Sequence, residues 1–394
     1  MRALTLSEPL SGTDHPETAP GAERQPAGVR AVLEDLAGFP KTLTTLHWPR
    51  RAAWMSRVEV LDRAALSSHG ILLRLASAIG HDAVVLDGAT GGAVRLTDLG
   101  AAMLLARRRF GPTVIITDAT WSRGKSLFER LARRVGLRGI DGPRVVYCVL
   151  SSEEQRIFPL TWKVDAARVV FTPYYFTIDR EDLALPTSEE GGIFAGGDSL
   201  RDYEPLLRAA RSLAVPVTIA ARSLGRRHDL PANVRAGYLP RASFLERMRT
   251  ASVVVVALAR GRERSAGQQS YLNAMALGKL VIVPDVMGVR DYVTPGRTGL
   301  IVPPADPCAL TEALRWALDP TNRLAVTEMA ARAREEVLAR FTPEHYVESV
   351  LHVVERLARR RQKPPARATR WALARDPIKE KPPRSGRESR GQGW

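Results

Sequence analysis

Short apolar runs alternate with stretches of helical periodicity along the first half of the chain. Apolar runs of this length predict buried strands, here over residues 43–48, 58–61, 83–87, 113–118, 145–150 and 168–172. Amphipathic spacing predicts helices over residues 71–79, 101–109, 126–135 and 152–163. Because strands and helices alternate, the first half is predicted to form a parallel sheet with helices on both faces.

The same alternation begins again after a polar segment. Residues 182–192 contain Pro186 and paired glycines, which is typical of a linker. Beyond the linker, strands are predicted over residues 192–195, 215–221, 252–258, 280–283 and 299–302. Helices are predicted over residues 203–213, 244–250, 268–277, 306–317 and 346–360. The fold class is therefore α/β, with two Rossmann-like domains that face each other across a cleft.

Changes in this pattern predict the domain boundaries. Residues 31–185 would form the first domain, residues 186–340 the second, and residues 341–360 a last helix that packs back toward the first domain. Residues 1–30 are rich in Pro, Gly and polar side chains, which predicts a disordered leader. Residues 361–394 form a basic tail that is also predicted to be disordered.

Much of the positive charge lies at the end of the chain. The formal net charge of the chain is +16. Residues 359–394 contain 12 Lys or Arg and 3 Asp or Glu, so this segment carries a net charge of +9. Nucleic acid is not an expected partner, because the sequence shows no recognised motif and no basic stripe interleaved with aromatic residues. Two interpretations of the tail stay open. It contacts an anionic membrane, where each nearby basic residue contributes roughly 1 kcal/mol, or it is a solubilising extension.

Cysteine usage and hydropathy predict a cytoplasmic protein. Cys148 and Cys308 lie far apart in apolar surroundings, so each is expected to be buried rather than disulfide-bonded. The sequence contains no apolar run of bilayer-spanning length and no signal-peptide pattern. We therefore expect a cytoplasmic location. If the tail contacts a membrane, the protein would lie peripherally at its inner face.

Residues 265–285 have the pattern of a loop, a helix and a strand at the ligand edge of a parallel sheet. A glycine-containing loop leads into a run of helix formers, Gly278 ends that run, and an apolar strand follows. A helix N-terminus at this edge offers free N–H groups and a positive dipole to a phosphate. Gly267, Gln268 and Gln269 are thus candidate phosphate-binding residues, and an ordinary helix start is the alternative.

Six short motifs occur in order in the second half of the sequence. They are Phe194-Ala-Gly-Gly197, Ala274-Met-Ala-Leu-Gly278, Val281-Ile-Val-Pro-Asp285, Gly288-Val-Arg-Asp-Tyr292, Gly296-Arg-Thr-Gly-Leu-Ile-Val-Pro-Pro304 and Phe341-Thr-Pro-Glu-His345. In this order they resemble the nucleotide-binding domain of retaining glycosyltransferases of the GT-B fold, the family-four-like group. The resemblance implies that the second domain binds a nucleotide-diphosphate sugar and that the first domain receives the acceptor.

The resemblance also implies roles for individual donor-binding residues. The double glycine, Gly196 and Gly197, and the nearby Arg201 would lie against the donor diphosphate. Tyr238 and Leu239 would lie at the loop that contacts the nucleotide base. A fixed cation at Arg201 would stabilise the charge that develops on the leaving nucleoside diphosphate. The alternative for Arg201 is a surface arginine paired with a neighbouring aspartate.

Two positions depart from the motif of the family. That motif carries two glutamates, one beside the donor sugar and one on the ribose, where this sequence has Ser265 and Asn273. An Asn can still exchange hydrogen bonds with two hydroxyls, so Asn273 is a candidate ribose ligand. Ser265 is shorter than a glutamate, which predicts altered sugar recognition. Arg222, at the end of a predicted strand, is a second candidate cation, with a surface ion pair as the alternative.

Asp118 is the candidate catalytic residue of the first domain. It ends a predicted strand at the cleft, where an acid would orient an acceptor hydroxyl or the donor sugar, and Trp121 would offer a stacking platform. The alternatives are a helix-capping aspartate and a core tryptophan. The helix starting at Ser126 carries an apolar side and several arginines. It either packs on its own sheet, as most amphipathic helices do, or rests on a membrane.

The expected activity is transfer of a sugar from a nucleotide-diphosphate sugar to a hydroxyl of a glycan, lipid-linked or small-molecule acceptor. Such a reaction would belong to polysaccharide or glycolipid biosynthesis. The resemblance implies retention of the anomeric configuration. Asp118, from its place at a strand end, and Arg201 and Ser265, from the resemblance, are the candidate catalytic residues. No cofactor is expected, and no metal, because the histidines lack paired spacing and no Asp-X-Asp occurs. The alternative is a non-catalytic nucleotide-sugar-binding protein of the same fold, because both motif glutamates are replaced.

Overall fold

The computed structural model describes residues 113–362, apart from 125, 187–189 and 262–263, and three short strands nearer the N-terminus. The predictions for residues 1–30, 43–48, 71–79, 101–109 and 363–394 lie outside the described residues. Residues 361–362, predicted to begin the disordered tail, belong to the last helix.

The first sheet is parallel throughout its described strands. These are β1 (Ala31–Glu34), β2 (Val58–Leu61), β3 (Ala83–Asp87), β4 (Thr113–Thr117), β5 (Val145–Val149) and β6 (Val169–Phe171). They lie in the order β2-β1-β3-β4-β5-β6. The described helices of this half are α1 (Leu127–Ile140) and α2 (Ser152–Trp162). The short helix α3 (Arg180–Ala184) follows β6, and its Leu183 packs against the core of the second sheet.

The second sheet is also parallel. Its strands are β7 (Ile193–Gly196), β8 (Val217–Ala220), β9 (Val234–Gly237), β10 (Val253–Val255), β11 (Leu280–Pro284) and β12 (Leu300–Val302). Its helices are α4 (Glu204–Ala210), α5 (Arg241–Thr250), α6 (Gln268–Ala276), α7 (Pro307–Leu318) and α8 (Arg323–Arg340). The last helix, α9 (Pro343–Gln362), packs against β4 of the first sheet. The strand order β12-β11-β10-β7-β8-β9 reverses direction between β7 and β10. Ligands of Rossmann-like sheets bind at such a reversal, beyond the carboxyl ends of the strands.

Alternating side chains of the second sheet build a core on each of its faces. Ile193 and Ala195 point into a cluster with α4 and α7, whereas Phe194 joins a cluster with α6 and α8 on the other face. Each strand therefore needs apolar residues on both sides, as in sheets covered by helices on both faces. The predicted architecture of two Rossmann-like α/β units is confirmed.

Four elements were not predicted from the sequence: β1, α3, β9 and α8. Of these, α3 (Arg180–Ala184) overlaps the start of the predicted linker, residues 182–192. The helix α8 buries the side chains of Met329, Ala330, Ala333 and Val337. Two of these four are alanines, so the buried side gives a weak apolar periodicity. Strand β9 lies at the edge of its sheet, and Val234 is its only buried residue. Neither element carries the apolar pattern on which sequence prediction depends.

An aromatic cluster joins α2 to the first sheet. The ring of Trp121 lies 5.9 Å from that of Tyr147 and 6.1 Å from that of Trp162, both edge-on, and 5.8 Å from that of Phe158. Trp121 is only 3% exposed. The prediction of a stacking platform at Trp121 is therefore wrong, because the indole packs into the core instead of facing the cleft.

The two cysteines lie in different environments. Cys148 is buried in β5, and burial raises the pKa of its thiol to about 12, so the thiolate is scarce at neutral pH. Cys308 is exposed. The expectation that Cys308 is buried is wrong, because the residue lies in the first turn of α7, on the side away from the sheet.

Trp121→Ala tests the core assignment. We expect the substitution to lower the free energy of unfolding by about 3–5 kcal/mol, because it leaves a cavity within the aromatic cluster. Urea denaturation measures the change. Leu131→Ala is the control: Leu131 is 62% exposed, and its truncation should stay within about 0.5 kcal/mol. A Trp121→Ala protein as stable as this control would contradict the assignment.

Candidate functional site

A cavity of about 190 Å³ lies where strands of both sheets end. Its first-sheet residues follow β4, β5 and β6, and its second-sheet residues follow β7 and β10. The lining residues are Asp118, Thr120, Leu150, Tyr174, Ser199, Arg201 and residues 264–270. Of the predicted site residues, the cavity brings together Asp118, Arg201, Ser265, Gly267, Gln268 and Gln269.

The N-terminus of α6 forms one wall of this cavity. Gly267 is the N-cap residue, with φ 88°, and no side chain caps the helix there. Gln268 also lines the cavity, and its buried Nε2 has no hydrogen-bond partner among the described residues. An uncapped helix start and an unsatisfied amide together offer several donors to an anion.

Arg201 is held beside this helix start. Its guanidinium donates to the carbonyl oxygens of Gly196 at 3.2 Å and Ser199 at 2.8 Å, and to Ser270 Oγ at 2.8 Å. These partners are neutral, so the charge is not cancelled by a neighbouring hydrogen-bonded carboxylate within the described part of the chain. Burial lowers the pKa of the guanidinium from its ordinary value, and an arginine keeps its charge nonetheless. The cavity therefore holds a fixed cation.

The double glycine permits this position of Arg201. Gly197 has φ 111°, and a Cβ added there would lie 2.8 Å from Arg201 Nη2. Only glycine combines this backbone conformation with the close approach of the guanidinium. Neither glycine lines the cavity. Gly196 accepts a hydrogen bond from Arg201, and Gly197 leaves room for its guanidinium, so both affect the cavity by positioning Arg201.

Asp118 lies at the end of β4 in a strained backbone conformation. Its φ of 48° is left-handed, which aspartate tolerates better than most residues. Tyr346 of α9 donates its hydroxyl hydrogen to Asp118 Oδ1 at 3.4 Å. The C-terminal helix therefore returns to the first sheet and helps to orient the carboxylate at the cavity.

Ser265 is bound to a carboxylate that the sequence did not indicate. Its N–H donates to Glu154 Oε1 at 2.8 Å, and its hydroxyl donates to Oε2 of the same residue at 2.7 Å. Glu154 belongs to α2, beside the first sheet. The only local signal was the spacing Ser151-X-X-Glu154, which indicates a capping box and so a purely local role.

Asn273 is buried away from the cavity. Thr177 donates its N–H to Asn273 Oδ1 at 2.7 Å, and Asn273 Nδ2 donates to Thr177 Oγ1 at 3.1 Å. Gln269 Nε2 donates to the same hydroxyl at 2.8 Å. Both polar atoms of the Asn273 side chain therefore hold Thr177, and Asn273 is not among the residues that line the cavity.

The remaining predicted residues lie outside the cavity. The guanidinium of Arg222 lies 4.8 Å from the ring centre of Tyr238, and the Arg222 N–H donates to Asp198 at 2.8 Å. Tyr238 is exposed, whereas Leu239 is partly buried against the core of the second sheet. Arg222 and Tyr238 thus form a stacked pair on the surface rather than a wall of the cavity.

Two further observations concern other kinds of site. Within the described residues, no group of three or more His, Cys, Asp or Glu side chains is placed to hold a metal ion. Among the helices that the structure describes, none is both long enough and apolar enough to cross a membrane.

Gly267→Ala tests the conformation at the start of α6. We expect the free energy of unfolding to fall by about 1–2 kcal/mol, since φ is left-handed there and the new Cβ would lie 2.9 Å from Leu258 Cδ2. Thermal unfolding measures the loss. Gly237→Ala is the matched control, because no atom lies within 4 Å of its added Cβ. Equal stability of the two variants would show that Gly267 does not need its left-handed conformation.

Solved structures with this arrangement of sheets are known. A glycosyltransferase from Rickettsia africae superposes with a TM-score of 0.57 at 12% identity, over 84% of this chain and 99% of that chain. Anabaena HepE in complex with UDP-glucose superposes with a TM-score of 0.57 at 14% identity, over 84% of this chain and 99% of that chain. The sucrose-phosphate synthase from Thermosynechococcus elongatus superposes with a TM-score of 0.56 at 17% identity, over 84% of this chain and 100% of that chain. At such identities the likeness shows the fold.

The sequence comparisons give a match over part of the second half of the chain. No curated protein matches the chain. Residues 200–320 match the family described as glycosyl transferases group 1, and this range contains Arg201, the whole of α6 and the loop before it. The match covers less than half of the chain, and the chain as a whole shares the GT-B fold of the glycosyltransferase structures compared above.

Proposed function

We propose that the protein transfers a sugar from a nucleotide-diphosphate sugar to a hydroxyl acceptor, with the diphosphate at the start of α6. The observation that carries the proposal is the uncapped N-terminus of α6, which faces a cavity that also holds Arg201. The N–H groups of Gln268 and Gln269 would donate to phosphate oxygens, and the helix dipole would favour their negative charge.

Arg201 would serve the chemical step as well as binding. Cleavage of the sugar–phosphate bond leaves negative charge on the departing diphosphate, and a preorganised cation stabilises that charge. With Arg201 in this role the reaction proceeds without a metal ion. The second half of the chain resembles retaining enzymes, so the proposal includes retention of the anomeric configuration.

The nucleoside would extend out of the cavity along the second sheet. The cavity of about 190 Å³ is smaller than the ~300 Å³ at which pockets for drug-sized ligands begin. It therefore suits the diphosphate and part of the sugar. Tyr238, exposed and stacked with Arg222, would offer an aromatic surface for the base. Because HepE is known in complex with UDP-glucose, uridine nucleotides are the first probes.

Asp118 would act on the acceptor side. Its carboxylate lines the cavity from the first sheet, opposite Arg201 and α6. A carboxylate in this place would accept a hydrogen bond from the attacking hydroxyl and orient it. A glycan, a lipid-linked sugar or a small molecule would supply that hydroxyl.

A second candidate is a non-catalytic protein that binds a nucleotide sugar. The observation that favours it is that Ser265 and Asn273 replace two glutamates and give their side-chain hydrogen bonds to other residues of the chain. Release of UDP from UDP-sugars is the discriminating measurement. If the unaltered protein releases UDP from a UDP-sugar and the Arg201→Ala variant does not, the non-catalytic candidate is excluded.

Arg201→Ala is the direct test of the donor site. We expect UDP to bind at least tenfold more weakly, because charge-assisted hydrogen bonds contribute about 1.5–3 kcal/mol each. Isothermal calorimetry measures the dissociation constant, and thermal unfolding verifies that the variant is folded. Arg211→Ala removes an exposed arginine beyond α4 and should bind like the unaltered protein. Undiminished binding by a folded Arg201→Ala protein would reject this placement of the diphosphate.

We also propose peripheral contact with an anionic membrane, through α1 together with the basic tail. Leu127, Phe128, Leu131 and Val135 are 82%, 81%, 62% and 57% exposed. Only Leu137 and Ile140 of this helix are buried, so most of its apolar side does not pack on the sheet. Arg130, Arg134 and Arg138 are exposed on the same helix. An apolar stripe bordered by arginines fits the interface of an anionic bilayer.

Substitution of the stripe tests membrane contact. The double variant Phe128→Ser/Leu131→Ser should partition at least tenfold more weakly onto phosphatidylglycerol vesicles, because apolar burial in the interface is lost. Vesicle co-sedimentation measures the partition. Leu324→Ser is the control, since Leu324 is 73% exposed on α8. If both variants bind vesicles as the unaltered protein does, α1 is not the contact surface.

A further inference from the structure

Glu154 is a buried carboxylate with hydrogen-bond donors from both halves of the molecule. It is 2% exposed. Its Oε1 accepts from the N–H of Ser265, and its Oε2 accepts from Ser265 Oγ, Ser151 Oγ and the N–H of Leu150, all at 2.7–3.2 Å. Burial raises the pKa of Glu154, and these four donors oppose that rise. A buried carboxylate with so many donors is held in one geometry.

The residues that Glu154 holds are themselves walls of the cavity. Ser265 and Leu150 both line it, whereas Glu154 lies behind them. Gly267, the N-cap of α6, follows Ser265 by two residues. The carboxylate thus fixes the loop from which the phosphate-binding N–H groups emerge, and it does so from α2, an element of the other sheet.

We infer that Glu154 is a positioning residue for the donor nucleotide. The inference rests on the proposed function, and it adds that donor affinity depends on a contact between the two sheets. When Glu154 holds Ser265, the first turn of α6 is placed before any ligand arrives. Binding then spends less free energy on ordering the loop.

Neighbouring contacts show that this interface is closely fitted. Asp291 accepts from the N–H and the hydroxyl of Ser152 at 2.8 and 2.7 Å, and the N–H of Gly288 donates to Glu153 at 2.6 Å. A Cβ added to Gly288 would lie 2.9 Å from the Cβ of Ser265. The start of α2 therefore contacts two loops of the second sheet. Glu154 holds the loop at Ser265, which lines the cavity, whereas the adjacent Glu153 holds the loop at Gly288.

Glu154→Gln tests the inference with almost no change in shape. The amide has one acceptor oxygen where the carboxylate uses two, so one of the bonded groups loses its acceptor. We expect the dissociation constant for UDP to rise about tenfold. In a donor-hydrolysis assay, KM for UDP-glucose should rise while kcat stays within about twofold, because Glu154 does not touch the reacting atoms. Glu153→Gln is the matched control and should change UDP binding less than twofold, since its oxygen still accepts from Gly288.

A double-mutant cycle separates positioning from general stability. Ser265→Ala removes the hydroxyl that bonds Glu154, and we expect it to weaken UDP binding on its own. The double variant Glu154→Gln/Ser265→Ala should bind no more weakly than Glu154→Gln alone, because both changes break the same contact. Independent, additive losses would overturn the inference.

Two further outcomes are equally decisive. UDP binding by Glu154→Gln equal to that of the unaltered protein would overturn the positioning role and leave the proposed function standing. Failure of the unaltered protein to bind UDP or another nucleoside diphosphate would reject the proposed function and this inference together. If Glu154→Gln does not fold, Ser265→Ala decides the matter, because it keeps the backbone hydrogen bond to Glu154 Oε1.

Discussion

The geometry of this molecule depends on one buried carboxylate between its two sheets. An ionised carboxyl group without partners is costly inside a protein, so Glu154 is compatible with the fold only while its donors surround it. Two of the four donors belong to Ser265, on the second sheet, and the others lie in its own strand–helix turn. Separating the sheets would leave the carboxylate short of partners, and this penalty favours the observed contact.

The cavity lies beside that contact and is lined by residues of both halves of the molecule. Neither sheet forms it alone, because Asp118 and Leu150 come from the first and Arg201 and Gly267 from the second. The C-terminal helix adds a second link across the molecule. Tyr346 packs against Tyr174 and Tyr175 and donates to Asp118, and burial keeps its pKa well above the ordinary value, so it remains a donor. The cation and the acid at the cavity are thus positioned by separate contacts.

The sequence predicted what depends on local pattern. Alternating apolar runs located most strands, and the glycine before α6 located the helix start at the cavity. Asp118 was selected because it ends a predicted strand, and such ends meet at one edge of a parallel sheet. Arg201 was selected by its place after the double glycine of the motif, and both residues line the cavity. The role of Glu154 and the partner of Asn273 were missed, since each depends on a residue distant in sequence, whereas a core position for Trp121 was one of the two alternatives that the sequence left open. Thr177, for example, precedes Asn273 by 96 positions.

The contact also accounts for the departure of Ser265 from the family motif. A glutamate at position 265 would bring a second carboxylate toward Glu154, whose oxygens already lie within 2.8 Å of the Ser265 N–H and hydroxyl. Two carboxylates at hydrogen-bond distance cannot both ionise without a large cost. A short hydroxyl at position 265 and an acid at position 154 are therefore mutually consistent. The serine is explained by the acid that reaches it from α2, and its presence alone is no argument that catalysis is lost.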